Sequence, residues 1–311
     1  MGAIARRITR VITAVVCVAV SVGVSVATLH VPTREGGGER FNPARYRSDV
    51  IVTMFQANWK SVARECGEVL GPEGVGYVQV SPPQESIQGT QWWTSYQPVS
   101  YKLDSKLGTE AEFKNMVQQC SAAGVGIIAD VVLNQTTGAD VAAGDQKGVA
   151  GSEYNGSTGS YPGFATKQYP DGITAADFHS CTKNISDYTN QKEVQECRLS
   201  SMWDFNSESE KVQDIQSDYL ASLWNAGVRG FRMDAVKHIH TDSVKAIKEK
   251  FAKKIGKNAN DIYWIQEVIG NASEAAGIQP SNYVQNGTVT EFGFKSEMNQ
   301  TDNQVYLLFF Q

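Results

Sequence analysis

A helix followed by a glycine and an apolar strand occurs twice along the chain, and this repeated pattern constrains the fold more than any other feature. In the first copy, Thr109 and Glu112 are predicted to form a capping box, after which apolar residues recur at helical spacing. Gly124 ends the predicted helix, and residues 126–132 are predicted to form a buried strand. A helix that leads directly into a buried strand is typical of βα units.

The second copy repeats these signals further along the chain. Ser207 and Glu210 are predicted to form its capping box, Gly227 ends its helix, and residues 228–233 form its strand. Four more short apolar runs suit parallel strands that helices cover on both faces. These runs lie at 51–55, 77–80, 263–267 and 288–292. Six such units predict an α/β fold of the (β/α)8 barrel type, with the active site at the carboxyl ends of the strands.

The pattern breaks after the third predicted strand. Residues 134–206 are rich in Gly, Ser, Thr and Asp, and a stretch of this length is too long for a simple loop. We therefore expect an inserted subdomain at 134–206, between a first barrel part at 46–133 and a second at 207–311. Two strands of an eight-stranded barrel are not found, and the sequence stops at Gln311 inside an apolar run, so we expect the barrel to be incomplete at its carboxyl end.

The net charge indicates which partners are unsuitable, and the N-terminal residues indicate where the protein is located. The 311 residues carry a formal net charge of -5, which argues against nucleic acid as a partner. Three arginines precede an apolar run at 11–26, and small residues follow up to Ala27, as in secretory signal peptides. We expect residues 1–27 to be removed, which leaves a secreted, extracellular protein without a membrane anchor. An uncleaved anchor is the alternative, but the run is shorter than the roughly 20 residues that a spanning helix needs.

Removal of this leader leaves an even number of cysteines, which suits disulfide formation in an exported chain. The four that remain are Cys66, Cys120, Cys181 and Cys197. No Cys-x-x-Cys pair occurs in the sequence, which argues against a zinc site.

Charged side chains stand at the ends of two neighbouring predicted strands. Arg232 and Asp234 are two positions apart in one strand and therefore point to the same face, and Glu267 ends the next strand. Two carboxylates that face one cleft are the minimum equipment for glycoside hydrolysis. The alternatives are a structural ion pair for Asp234 with Arg232 and a surface carboxylate for Glu267.

Five motifs, taken together and in this order, resemble the alpha-amylase family of glycoside hydrolases, in the form found in secreted animal and actinobacterial members. They are GYVQVSPP at 76–83, WWTSYQPVSY at 92–101, DVVLN at 130–134, GFRMDAVKH at 230–238 and QEV at 266–268. The resemblance implies endo-acting, retaining hydrolysis of internal α-1,4-glucosidic bonds in starch, glycogen or maltooligosaccharides, by a protein that is monomeric when complete.

The resemblance also implies roles for individual side chains. Asp234 would be the nucleophile that forms a covalent glycosyl intermediate, and Glu267 the general acid and base. Arg232 would keep Asp234 ionised. Aromatic faces would stack on sugar rings, although core packing is the commoner use of tryptophan. The expected substrate-binding residues are Arg232, Trp92, Trp93, Tyr96, Gln97, Lys237, His238 and Gln135.

A structural Ca²⁺ site between the insertion and the barrel is implied as well, with the oxygen ligands that this ion prefers. Its ligands would be the side chains of Asn134 and Asp204 and the backbone carbonyls of Arg198 and His238. The resemblance further implies the disulfides Cys66–Cys120 and Cys181–Cys197. Of the chloride site of animal members the sequence keeps only Arg232, so chloride binding is left open.

Three departures from the family pattern bear on activity. Gln135 stands where the family has histidine, and since an amide cannot donate a charged hydrogen bond, we expect slower catalysis rather than none. Trp203, beside the calcium aspartate, enlarges a packed position. The segment that carries the family's third catalytic carboxylate is not found, so we expect this polypeptide to be inactive and poorly stable when expressed alone.

Other interpretations of the same motifs stay open. One is a non-catalytic relative, either a glycan-binding protein or a membrane-anchored accessory subunit. A binding module needs only aromatic residues, whereas this chain keeps Asp234 and Glu267 together with Arg232. Another is a glucosidase or transglycosylase on the same scaffold, since loop shape decides between these activities.

Overall fold

The computed structural model describes residues 50–138 and 141–293, all of which fall in one compact unit of the chain, Gly38–Gln311. The predicted signal peptide at 1–27 and the apolar run before Gln311 lie outside the described residues. Within the described residues, no helix is long and apolar enough to span a membrane.

Eight strands lie in the described residues, and six of them form one parallel sheet. The strands are β1 (Ile51–Met54), β2 (Tyr77–Val80), β3 (Gly126–Val131), β4 (Gln146–Lys147), β5 (Glu153–Tyr154), β6 (Gly230–Met233), β7 (Tyr263–Gln266) and β8 (Thr288–Val289). The sheet has the order β1-β2-β3-β6-β7-β8, and every neighbouring pair is parallel. Parallel strands in chain order are the arrangement of a (β/α)8 barrel. The six predicted strands are therefore confirmed, although several are shorter than predicted.

Five α-helices lie in the same described part of the chain. They are α1 (Trp59–Glu65), α2 (Glu110–Ala122), α3 (Gln191–Glu196), α4 (Glu210–Ala226) and α5 (Thr241–Lys254). α2 begins with the predicted capping box, because Thr109 accepts from the Glu112 N–H and the Glu112 carboxylate accepts from the Thr109 N–H. α4 ends at Gly227, whose φ of 108° is the left-handed conformation that favours glycine.

The second predicted capping box is wrong. α4 begins at Glu210, and its N-cap is Ser209, whose side chain makes no capping hydrogen bond. Glu210 is consequently the first residue of the helix rather than the third, so it is misplaced for the reciprocal bond to the N-cap. The carbonyl of Ser207 instead accepts a hydrogen bond of 2.9 Å from the Gln213 side chain.

The helices pack their apolar faces on the sheet, and large aromatic side chains fill the contact. Trp59 of α1 lies 5.3 Å from Phe113 of α2, and Phe231 of β6 lies 5.2 Å from Phe251 of α5, measured between ring centroids. All four side chains are fully buried. Burial of these apolar side chains between the helices and the sheet stabilises the strands. Polar side chains can then lie at the carboxyl ends of the strands, where barrel active sites are found.

The residues between β3 and α4 form a separate layer. β4 and β5 pair antiparallel outside the barrel sheet. A second apolar cluster here contains Tyr161, Phe178 and Phe205, and it also includes Val212 of α4, so this layer packs on a barrel helix. The exact bounds assigned to the domains from the sequence stay predictions.

Both disulfides implied by the resemblance are present. Cys66, directly after α1, is bonded to Cys120 of α2, and Cys181 is bonded to Cys197 at the end of α3. The first bond closes a separation of 54 residues and the second a separation of 16 residues. Each bond therefore ties two helices or loops that would move independently in the unfolded chain.

Paired replacement by alanine is expected to show this difference in loop length. The loop-entropy relation gives a loss of about 4 kcal/mol in the free energy of unfolding for Cys66→Ala with Cys120→Ala, and about 3 kcal/mol for Cys181→Ala with Cys197→Ala. Urea denaturation of each double variant beside the parent chain measures both losses. A larger loss for the second pair than for the first would contradict the expectation.

Candidate active site

The parallel register brings charged side chains from three strands to one place. Asp130 of β3 is the register partner of Arg232 of β6, so the two side chains stand beside each other on the same face. Beyond the strand ends the ladder continues, since the Asp234 N–H donates to the Val131 carbonyl and the Glu267 N–H donates to the Met233 carbonyl, both at 3.0 Å. Asp234 and Glu267 thus follow neighbouring strands at the same edge.

The guanidinium of Arg232 contacts three carboxylates. Nη1 lies 2.8 Å from Asp130 Oδ1 and 2.9 Å from Asp234 Oδ1, and Nη2 forms an ion pair with Glu267 Oε1. Asp130 also accepts a hydrogen bond of 2.9 Å from the Tyr96 hydroxyl. One cation therefore holds both predicted catalytic carboxylates and a third, Asp130, that sequence reasoning had not assigned to the site.

Burial and charge shift the pKa values of this group. Burial, assisted by the nearby Asp130 charge, raises the pKa of Asp234 to about 7, although Arg232 opposes the shift. Burial also raises the pKa of Asp130. Burial alone would lower the pKa of Arg232, but the surrounding carboxylates outweigh it and raise that pKa. The site therefore keeps a permanent cation beside Asp234, whose carboxyl group can exchange a proton near neutral pH.

Two further contacts fix the carboxylates. The Ala235 N–H donates to Glu267 Oε2 at 3.1 Å, and Ala235 has the left-handed backbone angles φ 50° and ψ 39°, which are rare for alanine. Gln135 Nε2 donates to Asp234 Oδ2 at 3.3 Å. The predicted site residue Gln135 thus lies beside the predicted nucleophile.

A cleft of about 1000 Å³ opens over these carboxylates. Trp92 and Trp93 line one part of it, and their side chains are 54% and 43% exposed, which is unusual for tryptophan. Phe55, which follows β1, also lines the cleft and lies 5.8 Å from Trp92 between ring centroids. Exposed aromatic faces beside a carboxylate cluster offer stacking surfaces for sugar rings.

Lys237 belongs to a second polar group in the cleft. Its Nζ donates to both carboxylate oxygens of Glu274, at 2.9 and 3.0 Å, and to the Ile269 carbonyl at 2.9 Å. The same ammonium lies 4.7 Å from the ring centroid of Tyr188. Sequence reasoning identified Lys237 but missed Glu274 and Tyr188, which both line the cleft.

The predicted substrate-binding residues Gln97 and His238 also line the cleft and are buried. The Gln97 side chain accepts a hydrogen bond of 2.8 Å from the Gly138 N–H. The His238 ring is bonded through Nδ1 to the Val194 carbonyl at 3.0 Å, and burial lowers the pKa of His238 to about 4. His238 is therefore neutral at physiological pH.

Asn134 and Asp204, the two side chains predicted to bind calcium, lie close together. The Phe205 N–H donates to the Asn134 carbonyl at 2.9 Å, and Gln135 pairs with Asp204 in an antiparallel bridge. Asp204 Oδ1 and Asn134 Nδ2 are both buried without a hydrogen-bond partner among the described residues. Burial raises the pKa of Asp204 to about 7, although the hydrogen bond to His179 opposes the shift.

These orphaned atoms fit a hard cation. An amide turned by half a rotation would present Oδ1 of Asn134 in place of Nδ2, since the two atoms are assigned from the hydrogen-bond network. Among the described residues, no group of three or more His, Cys, Asp or Glu side chains could hold a metal ion. A cation here would therefore need amide and carbonyl oxygens, as Ca²⁺ accepts, and the carbonyls of Arg198 and His238 are the predicted donors.

His179 is another residue that sequence reasoning missed. Its Nδ1 lies 2.6 Å from Asp204 Oδ2, and its Nε2 lies 2.9 Å from Glu208 Oε2. Burial alone would lower the pKa of His179, but the bonds to the two carboxylates raise it to about 9. His179 thus holds Oδ2 of Asp204, while Oδ1 is the oxygen without a hydrogen-bond partner among the described residues.

Replacement of Arg232 by leucine is expected to destabilise the fold in a pH-dependent way. Without the cation, the buried carboxylates of Asp130 and Asp234 and the partly buried one of Glu267 repel each other, and we expect a loss of about 3–5 kcal/mol in the free energy of unfolding at pH 8. The pKa of Asp234 is already about 7 with Arg232 present. At pH 5 the carboxyl groups of the variant take up protons, so the loss is smaller.

Urea denaturation at pH 5 and pH 8 measures this difference. Arg64→Leu, at an exposed arginine of α1, is the matched control and should change little at either pH. An equal loss at both pH values for the Arg232 variant would contradict the electrostatic account.

Comparison with known proteins assigns the chain to a family. Residues 75–305 match the family described as alpha amylase, catalytic domain. The alpha-amylase of Streptomyces violaceus is 40% identical over 252 residues, which cover 81% of this chain and 40% of the relative. The pancreatic alpha-amylase of Sus scrofa is 37% identical over 263 residues, which cover 80% of this chain and 49% of the relative. The chain thus spans at most about half the length of these curated relatives.

A solved structure agrees with these relatives. Alpha-amylase I from Eisenia fetida, as a variant in complex with maltohexaose, has a TM-score of 0.72 and 34% sequence identity. The match covers 83% of this chain and 51% of that chain. On the family match over most of its described residues, the chain belongs to the alpha-amylase catalytic domain family.

Proposed function

We propose that the protein containing this sequence is a secreted, endo-acting alpha-amylase that hydrolyses internal α-1,4-glucosidic bonds with retention. Its substrates would be starch, glycogen or maltooligosaccharides. The observation that carries the proposal is the pair Asp234 and Glu267, which stand on neighbouring strand ends against one guanidinium, that of Arg232, and line a cleft with exposed aromatic rings.

In the first step, the ionised Asp234 attacks the anomeric carbon of the bound sugar while the protonated Glu267 gives its proton to the glycosidic oxygen. The bond between that carbon and the leaving oxygen breaks, and a glycosyl ester forms on Asp234. Arg232, which contacts both groups, stabilises the ionised form of Asp234 and the carboxylate that Glu267 becomes.

In the second step, Glu267 acts as a base. It takes a proton from water, the water oxygen attacks the anomeric carbon from the face that the leaving group vacated, and the ester bond to Asp234 breaks. Both carboxyl groups return to their starting states. Two inversions at one carbon give net retention.

The contents of the cleft support a polymeric substrate. Trp92 and Trp93 present flat exposed faces for stacking, and Glu274, which Lys237 holds, supplies a carboxylate that can accept hydrogen bonds in the same cleft. An open cleft with binding groups besides the carboxylates can hold several sugars of one chain, and this suits hydrolysis of internal bonds. A similar solved protein, an alpha-amylase I, is in complex with maltohexaose.

We also propose a structural Ca²⁺ held by Asn134, Asp204 and the carbonyls of Arg198 and His238. The ion would supply positive charge to the orphaned oxygen of Asp204 and would join the segment after β3 to that around His238. A role of Arg232 in chloride binding stays a prediction. Secretion is supported by the two disulfides, since such bonds persist in oxidising compartments.

Removal of either catalytic carboxyl group tests the reaction. In the full-length gene product that contains these residues, Asp234→Asn and Glu267→Gln are each expected to lower reducing-end release from starch at least about a thousandfold. Asp242→Asn, at an exposed acid of α5, is the matched control and should keep full activity. Proton NMR of the first product should show the α anomer, as retention requires.

The other interpretations predict different outcomes. Starch binding without hydrolysis by the unaltered protein would favour the non-catalytic relative. Release of glucose from chain ends alone would favour a glucosidase, and longer products from a single maltooligosaccharide would favour a transglycosylase.

Calcium removal tests the proposed metal site through stability rather than activity. A ligand present at about 100 times its dissociation constant stabilises the folded state by about 2.7 kcal/mol, so a chelator should lower the melting temperature measurably. Asp204→Asn is expected to abolish this calcium dependence, because the charged ligand is lost. A variant that keeps the full calcium-dependent shift would exclude Asp204 as a ligand.

A further inference from the structure

Gln135 uses its hydrogen-bond donors within the protein. The two hydrogens on Nε2 point at the Tyr96 carbonyl, at 3.2 Å, and at Asp234 Oδ2, at 3.3 Å. The residue is 1% exposed, and its Oε1 is buried with no partner among the described residues. This side chain therefore has no spare donor for a sugar hydroxyl, although it lies at the wall of the cleft.

The orientation of this amide is determined by its neighbours. A backbone carbonyl can only accept hydrogen bonds, so the group that faces the Tyr96 carbonyl must be the NH₂ and not Oε1. The same NH₂ then faces Asp234, whose ionised carboxylate is also an acceptor. Turning the amide would lose both contacts at once.

The backbone of Gln135 is fixed as well. Gln135 pairs with Asp204 in an antiparallel bridge, and the Thr136 N–H donates to the Trp203 carbonyl at 3.0 Å. The side chain thus reaches Asp234 from a segment that backbone hydrogen bonds hold in place.

On these contacts we propose that Gln135 is a positioning residue, which holds Oδ2 of Asp234 in place, rather than a residue that binds the sugar. The inference rests on the proposed function, because Asp234 is a nucleophile only in that reaction. Oδ1 of Asp234 is held by Arg232, a cation that Asp130 and Glu267 share. Gln135 holds the other oxygen and so fixes the plane of the carboxylate for attack.

The surroundings of Asp234 show why a neutral donor matters. Asp130 and Glu267 face it as like charges, Arg232 faces it as the opposite charge, and the Tyr96 hydroxyl lies nearby on Asp130. The hydrogen bond from Gln135 acts with Arg232 to lower the pKa of Asp234 against burial and the two acids. An amide does not titrate, so the donor itself is present at every pH.

The test compares Gln135→Leu with the unaltered full-length gene product at fixed Ca²⁺, using one maltooligosaccharide of defined length. Loss of a donor to a buried carboxylate should lower kcat about tenfold near neutral pH and move the acid limb of the pH profile to higher pH. KM should change less than about twofold. Gln119→Leu, the same change at an exposed glutamine of α2, should alter none of these values.

A sugar-binding role predicts the opposite pattern. A raised KM with kcat and the acid limb unchanged would overturn the proposal, and so would a variant indistinguishable from the parent. Gln135→His restores a ring N–H donor, so it should recover most of the lost kcat. Gln135→Asn, whose shorter side chain withdraws the donor while staying polar, replaces the leucine variant if that variant does not fold.

A measurement without substrate separates this proposal from the proposed function. Carbon-13 NMR of labelled aspartate carboxyls, with Asp234→Asn to identify the signal, gives the pKa of Asp234 directly. A pKa about one unit higher in Gln135→Leu supports the contact even if the unaltered protein hydrolyses no starch. An unchanged pKa in a protein that does hydrolyse starch overturns the positioning role and leaves the proposed function standing.

Discussion

The contact of one guanidinium with three carboxylates is the interaction on which the site depends. Asp130, Asp234 and Glu267 come from three neighbouring strands, and each would be costly to bury without the charge of Arg232. The parallel register of β3 and β6 sets Asp130 beside Arg232, and the continued ladder sets Asp234 beside Glu267. The sheet that gives the fold its core therefore also determines which charges meet.

The segment after β3 links this charge group to the candidate metal site. Asn134 and Gln135 are adjacent in the chain, yet one lies beside Asp204 and the other beside Asp234. The backbone bridge to Asp204 ties the two places together. Trp203, whose indole N–H donates to the Gly156 carbonyl, accepts a backbone hydrogen bond from Thr136, the residue after Gln135. The insertion is thus part of the cleft's support as well as its wall.

Motifs in the sequence predicted the strands and the placement of Asp234 beside Glu267, because each depends on local pattern or on a fixed strand register. The pairing of the two disulfides came instead from the family resemblance. Asp130 could have been assigned to the site from the same register, since it is the one charged residue in an apolar strand. Glu274 could not, because its contact with Lys237 depends on the path of an irregular loop. The failed capping box at Ser207 shows a similar limit, since a helix start shifts by a residue or two without changing the pattern.

The central claim is that Asp234 forms a covalent bond to the sugar. The most direct measurement treats the full-length gene product with a fluorinated maltosyl fluoride. This reagent forms the glycosyl-enzyme faster than water hydrolyses it, so the intermediate accumulates. Proteolysis and mass spectrometry then identify the labelled peptide. The account predicts one added glycosyl group on the peptide that carries Asp234, and none on that peptide in Asp234→Asn. A label on Glu267 or on another carboxylate, or active turnover with no labelled peptide, would contradict it.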